Sequence, residues 1–468
     1  MATRVLRPTD AAWLYIEKRD KPVHVASLAT FSLPPDAPPG YLADLVAEWR
    51  ARPRFAPPFN LRLRPGLLST VLPAWQELKA EDIDLDYHFR HSALPKPGGE
   101  RELGVLVSRL HSNPLDRSRP LWECHVIEGL ENNRFAVYTK VHHSQIDGMG
   151  GMRLLSRFLS PDPAARDLPP PWEVGLSSGK KRADDEEGAD QGSLIERMIG
   201  LGKEQFRTGL EAAKALGKLA LEARKGEADG PAFPYGAPQT ILNGKIRGKR
   251  RFATQYYELS RIKTLAKAAG VTVNDVFLGL CATALRRYLA EMEELPEKPL
   301  TASVPISVRP ADDASVGNAI STIFVNLHTD IADPLARLKA IGASSAPAKD
   351  KLQSMTRGAI DNYTLVLMTP YMVQLMLGLG TMTRPMNNLV ISNVPGPSQV
   401  LYFNGAKLEQ IYPVSLLFDG QALNITVLSY AGQFNLGFTG DRDSLPHMQR
   451  IAVYTGDALA ELERALGL

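Results

Sequence analysis

At 468 residues the chain is long for one hydrophobic core, so two domains or two fused halves are expected. A formal net charge of +3, with 44% apolar and 22% charged residues, is too small to imply nucleic acid or any strongly charged partner, and local patterning must carry that question. Only Cys124 and Cys281 are present, far apart and without metal-ligand spacing, which argues against a disulfide framework or a zinc site and for a reducing, cytoplasmic setting.

From the N-terminus, Met1 to Asp20 is broken by charges and by Pro8 and lacks the apolar core of a secretion signal. Ala26 to about Ser160 mixes strand-like and helix-like runs. Within it, Phe135 to Val141 alternates, placing Phe135, Val137, Val141 and His143 on one pleat face and Tyr138, Lys140 and His142 on the other. His143 therefore points inward at the end of an apolar wall, just before a turn. That position suits a general base working near neutral pH, although a lone histidine so placed is more often a hydrogen-bonded core residue. Gly148 permits a sharp exit into the helix-like run Met152 to Leu159, and Asp147 is read as holding the turn through a salt bridge rather than orienting the imidazole.

Composition changes at Ser160. Through Gln191 the chain carries Pro161, Pro163, Pro169, Pro170 and Pro171, then Lys180-Lys181-Arg182 and an acidic run, which reads as a solvated, flexible linker. Ser193 and Glu196 fit a capping box opening a helix whose Lys203, Arg207, Lys214, Lys218 and Lys225 share one face. Such a helix is compatible with an anionic lipid surface, and with docking on its own domain, lysines outward. Strand-like runs follow at Leu300 to Val308, Ile323 to Leu327, Leu389 to Ser392 and Ile425 to Tyr430. Asn362 to Thr383 carries no charge and approaches bilayer-spanning length, but Pro370 interrupts it, and Gln374, Gly378 and Gly380 dilute it. Met368, Met372 and Met376 recur at helical spacing, so the stretch is expected to be a core helix or the wall of an acyl pocket.

Two chemistries are discounted on context. Gly175-Leu176-Ser177-Ser178-Gly179 matches the serine-hydrolase string but sits in the proline-rich stretch, without the strand and helix of a nucleophile elbow. His142, His143 and Asp147 do not make a metal site, because neighbouring strand residues face opposite sides. No Walker loop or dinucleotide fingerprint is present. A single base suffices where the electrophile carries a good leaving group such as a thiolate, with a nearby donor stabilising the oxyanion.

His142-His143-x-x-x-Asp147-Gly148 resembles the signature of the CoA-dependent acyltransferase superfamily, which includes chloramphenicol acetyltransferases and condensation domains. Further segments narrow the resemblance: Pro8-Thr9-Asp10, Glu17-Lys18-Arg19, Pro22-Val23-His24-Val25, Pro120-Leu121-Trp122-Glu123, Val273-Asn274-Asp275-Val276 and Ile391-Ser392-Asn393-Val394-Pro395-Gly396-Pro397. In that order, over nearly the whole chain, they look like the bacterial wax ester synthase/acyl-CoA:diacylglycerol acyltransferase family.

The resemblance implies an α/β fold of two chloramphenicol acetyltransferase-like halves, each a mixed sheet flanked by helices, with a tunnel between them. The N-terminal half would span 1–190 and end in the linker 160–191; a connecting helix and crossover would span 192–235, and the C-terminal half 236–468. His143 would be the general base, with His142 supporting it, Gly148 at the turn, and Asp147 a structural clamp paired with Arg309. Asn274 is either a transition-state donor or the N-cap of a helix Val276 to Tyr288. Ser392, Asn393, Pro395 and Gly396 are channel candidates, though the string also reads as a strand-ending turn. Pro120, Leu121 and Trp122 are candidates too, and a buried tryptophan is also a packing residue. Acyl-CoA, long-chain fatty alcohol and diacylglycerol are the expected substrates, with no bound cofactor or metal. The expected location is cytoplasmic, peripheral to the inner membrane or lipid inclusions. A carrier-protein-dependent condensation enzyme and a non-enzymatic lipid-droplet protein are the alternatives.

Overall fold

The computed structural model describes residues 3–66, 72–176, 234–307, 320–355 and 357–468. Two six-stranded mixed sheets dominate them, with a three-stranded sheet beside the first. In spatial order the first sheet contains Tyr402–Phe403, Ala406–Val414, His24–Ser32, Arg134–His142, Trp122–Leu130 and Phe89–Ala93. Its pairings are antiparallel except for the last. The second contains Ile320–Asn326, Thr301–Ser307, Leu389–Pro395, Leu423–Tyr430, Gln433–Asp441 and Arg250–Glu258, with a parallel core about Leu389–Pro395.

The alternation in Arg134–His142 is expressed directly in packing. Phe135, Val137 and Val141 join a core under the helices Tyr41–Arg50 and Gly148–Phe158, while Ala136 and Tyr138 join a separate core under Glu100–Ser112. Glu100–Ser112 also seals the two sheets together. Its Leu103, Leu106, Val107 and Leu110 pack with Phe252 of the second sheet, and Ser108 and Ser112 accept the Phe252 and Arg250 amides at 2.9 and 2.8 Å. The second sheet carries its own core, in which Val273–Glu291 is the central helix and Gln449–Leu466 packs against it.

The strand Ala406–Val414 lies within the 236–468 stretch yet pairs with His24–Ser32 of the first sheet. It passes so close to Gln433–Asp441 that a Cβ at Gly437 would sit 1.9 Å from the Pro413 carbonyl oxygen. Glycine is required there by the approach of two backbones.

Three expectations are corrected. The proline-rich stretch from Ser160 is exposed at Pro161 to Ala164, Arg166 and Asp167, as a solvated segment should be, but its end, from Pro170 through Leu176, packs on the core. Ser160 pairs with Tyr402, and Pro171–Val174 forms a short helix whose Trp172 is fully buried against Trp49, Phe89 and Trp122. Prolines fix an extended path, and burial of one large indole holds it on the core. Pro370 does not end the apolar helix, which runs Arg357–Met376, because Leu367, Tyr371 and Leu375 anchor it on both sides of that position. Finally, the helix expected from Val276 begins at Val273. No single described helix is long and apolar enough to cross a membrane. Ser177 to Gly179, most of the linker's charged portion, the basic helix around Lys203 to Lys225 and Arg309 all lie outside the described residues.

Candidate active site

The strand bearing the imidazole pair ends at His142, and the chain turns through Ser144 to Asp147 before the helix Gly148–Phe158. Two backbone bonds fix this exit: the His142 amide donates to Leu121 O at 3.0 Å and the His143 amide to Val23 O at 3.1 Å. The two rings then part company. His142 is buried, its Nδ1 accepting the Ser144 amide at 3.1 Å and lying 2.7 Å from Ser144 Oγ. Because Nδ1 accepts an N–H, the remaining proton belongs on Nε2, which faces Glu17 Oε1 at 3.5 Å.

Glu17 is itself well held. It accepts the Val23 amide at 3.0 Å and Arg117 Nε at 2.8 Å. Burial pushes its pKa up, but His142, the Val23 amide and the Arg117 guanidinium more than reverse this and bring it down to about 2. His142 thus sits in an electrostatic frame rather than in an open cleft.

His143 is half-buried and stacks on Trp13, ring centroids 4.3 Å apart and planes 25° from parallel. Its Nδ1 is buried without a well-formed hydrogen bond, so the exposure it retains lies elsewhere on the residue. Burial lowers its pKa below the ordinary histidine value of 6.5. Its own carbonyl opposes that effect, His142 adds to it, and Asp147 and Asp10 oppose it. The balance favours a neutral ring at neutral pH, the form able to accept a proton.

Asp147 is the N-cap of Gly148–Phe158, its carboxylate accepting the Gly150 amide at 2.6 Å. That role explains its spacing from the strand: the cap fixes where the turn stops and the helix starts. Gly148 lies against Val394 of the second sheet, a Cβ at Gly148 being 3.6 Å from Val394 Cγ2. The neighbouring Asn393 reaches Asn274, Nδ2 to Oδ1 at 3.5 Å. Asn274 is not the N-cap expected as one of its two roles. Thr272 caps the helix and forms a capping box with Asp275, leaving the Asn274 side chain free of that duty and partly exposed.

The other candidates divide by place. Ser392 and Gly396 are partly buried and Pro395 is exposed at the end of their strand; a side chain at Gly396 would collide with Ser429 O. Leu121 and Trp122 are fully buried, and the Trp122 indole donates to Phe59 O at 2.9 Å. With buried Pro120 they form a packed floor that holds the strand end bearing His142.

Sequence reasoning missed Trp13 and the placement of Glu17 against His142. Trp13 lies on the helix Pro8–Ile16 and also stacks with Phe418 at 6.1 Å, linking His143 to the second half of the chain. Phe418 meets Tyr371 edge-on, and Ile16 and Val23 pack with Leu367, Tyr371 and Leu375. The apolar helix Arg357–Met376 therefore backs the layer that covers His143. Glu17 stood within a noted N-terminal motif, but no spacing rule connects it to a histidine 125 positions away.

Residues 6–277 match the family model described as the wax ester synthase/diacylglycerol acyltransferase catalytic domain, and residues 316–463 its C-terminal domain. A Mycobacterium tuberculosis protein, provisionally named as a diacylglycerol O-acyltransferase, is 44% identical over 99% of this chain and 98% of its own length. O-acyltransferase WSD of Acinetobacter baylyi is 40% identical over 98% of this chain and 97% of its own. Among solved structures, the wax ester synthase/diacylglycerol acyltransferase of Marinobacter aquaeolei VT8 superimposes with a TM-score of 0.80 at 41% identity, covering 99% of this chain and 100% of that one. The first condensation domain of the calcium-dependent antibiotic synthetase, at 16% identity and a TM-score of 0.56 over 99% of this chain and 96% of its own, shares the fold.

Proposed function

The chain belongs to the wax ester synthase/diacylglycerol acyltransferase family of acyltransferases, and we propose that it transfers a long-chain acyl group from acyl-CoA to the hydroxyl of a fatty alcohol or diacylglycerol. The observation that carries this reading is His143: half-buried, its pKa lowered by burial, and stacked on Trp13, which in turn stacks on Phe418 of the second half.

In this mechanism the His143 ring accepts the acceptor's hydroxyl proton while the oxygen attacks the thioester carbonyl. The carbonyl becomes a tetrahedral oxyanion, for which the amide side chains of Asn274 and Asn393 are candidate donors. Collapse breaks the carbon–sulfur bond, and the proton on His143 passes to the departing thiolate, releasing free CoA. The products are a wax ester or triacylglycerol, and no acyl-enzyme forms. Asp147 and Glu17 act as positioning residues, one through the helix cap and the other through His142.

The enzyme is further proposed to work as a peripheral protein at the inner membrane or on lipid inclusions, where both acceptors reside. The test is a screen of thiol release from palmitoyl-CoA against fatty alcohols and diacylglycerols, with a carrier-protein thioester as a second donor. Acceptor-dependent CoA release with ester formation is expected. Turnover of the carrier-bound donor alone would replace this reading with a condensation reaction, and no turnover with any acceptor would remove it.

A further inference from the structure

The helix Arg357–Met376 buries one side against the Trp13–Phe418 layer and then ends in a turn that does the reverse. Met376, Leu377 and Met382 are 46%, 67% and 77% exposed, the last two the most exposed large apolar side chains among the described residues. Three cations lie along this turn. The Lys18 ammonium lies against Gly378, 3.5 Å from where a Cβ would stand. Arg384 and Lys298, both exposed, line a cavity of about 510 Å³ that Met382 also borders. None of the three forms an ion pair among the described residues. Glu297 is the exposed acid next to Lys298 in the chain, and nearby Asp419 is neutralised by its contact with Lys21.

Single exposed apolar residues are ordinary, but flexible methionine and leucine side chains on one turn, bordered by unpaired cations, match a particular chemistry. It is that of an anionic phospholipid surface, whose phosphates meet the cations while the apolar tips enter the acyl boundary. We propose that residues 376–384, with Lys18 and Lys298, are where this molecule rests on such a surface. The proposal builds on the reading of a lipid-using acyltransferase, and it differs from the basic helix noted in the sequence. The turn continues the helix that backs the cover of His143, so the membrane contact and the reaction site share one element.

The test uses the full chain and sedimentation with large vesicles of phosphatidylglycerol and phosphatidylcholine, or of phosphatidylcholine alone. The wild type should partition onto the anionic vesicles and lose that binding as salt is raised. Leu377→Asp with Met382→Asp should lower partitioning by about tenfold or more. Changing Lys18, Lys298 and Arg384 to glutamine should lower it by about fivefold for each charge removed. Acyl transfer between detergent-dispersed substrates should remain unchanged in both variants, which separates failure of this proposal from failure of the proposed reaction. As a measurement independent of the double variant, Met382→Cys carrying an environment-sensitive dye should shift to the blue on anionic vesicles; the native Cys124 and Cys281 are buried away from the label. Wild-type partitioning by the aspartate variant, binding indifferent to lipid charge, or an unshifted dye would each overturn the proposal. So would a change of oligomeric state in the aspartate variant without loss of vesicle binding, which would assign the patch to a second copy of the chain.

Discussion

Trp13 covers one face of the His143 ring at 4.3 Å, and that cover has a measurable electrostatic consequence. Burial lowers the pKa of His143, so the acid limb of kcat/KM should fall below the ordinary histidine value of 6.5. Trp13→Ala admits water, relieves desolvation and should move that limb upward, with Trp13→Phe in between. A limb that stays fixed across the three proteins would mean that another group controls it. The buried face of Phe135, Val137 and Val141 was legible in the sequence because a strand has a period of two, but His143 lies past the strand end, where that period no longer sets its direction. Trp13 was not legible. Its position depends on how the helix Pro8–Ile16 folds back across the motif, a contact between residues 130 positions apart.

At the scale of elements, the short segment from His142 to the helix Gly148–Phe158 is set by its ends: two backbone bonds at the strand and the Asp147 cap at the helix. Asp147→Ala should cost about 1 kcal/mol in stability, read as a lower Tm, and reduce kcat through the displaced turn. Asp147→Asn keeps an acceptor and should recover most of both. Persistent loss in the asparagine variant would show that charge, not capping, is the requirement, as a pairing with Arg309 would demand. Asn274 marks how far element reading from sequence goes. A helix near Val276 was visible from its apolar run, but Thr272 and Asp275 satisfy the first-turn amides three residues earlier, so the asparagine is released to face Asn393. The stretch from Ser160 misled only at its end, for a related reason. Proline count measures backbone stiffness, whereas Trp172, which pins the segment to Trp49 and Trp122, is a single residue in the same string.

Across the whole molecule the two sheets are bound by a helix between them and by a strand from late in the chain that completes the first sheet. Mixed sheets flanked by helices were legible from alternating runs, but this strand exchange was not, since pairing partners are fixed only by tertiary packing. The first half also holds buried histidines, His111 among them at the joint. Burial lowers His111 to about 3 and His88 to about 4, and lowers His24 well below 6.5. The unfolded chain binds protons on these groups as pH falls through 6.5 while the folded chain does not, so their stabilisation is full above 6.5 and is lost toward their folded values. Glu17 and Glu123, both brought to about 2, extend the loss from about 4.5 downward. Denaturant unfolding should therefore show stability falling steadily as the pH drops from 6.5 to 4, with a limit of about 1.4 kcal/mol per pKa unit for each histidine. A flat profile over that window would mean that these histidines are hydrated in the folded protein. The proposed reaction rests on one imidazole, and the decisive measurement is thiol release from palmitoyl-CoA plus hexadecanol by His143→Ala, with circular dichroism and Tm confirming an intact fold. The account predicts that CoA release falls at least about a hundredfold; turnover at the wild-type rate in the folded variant would contradict it.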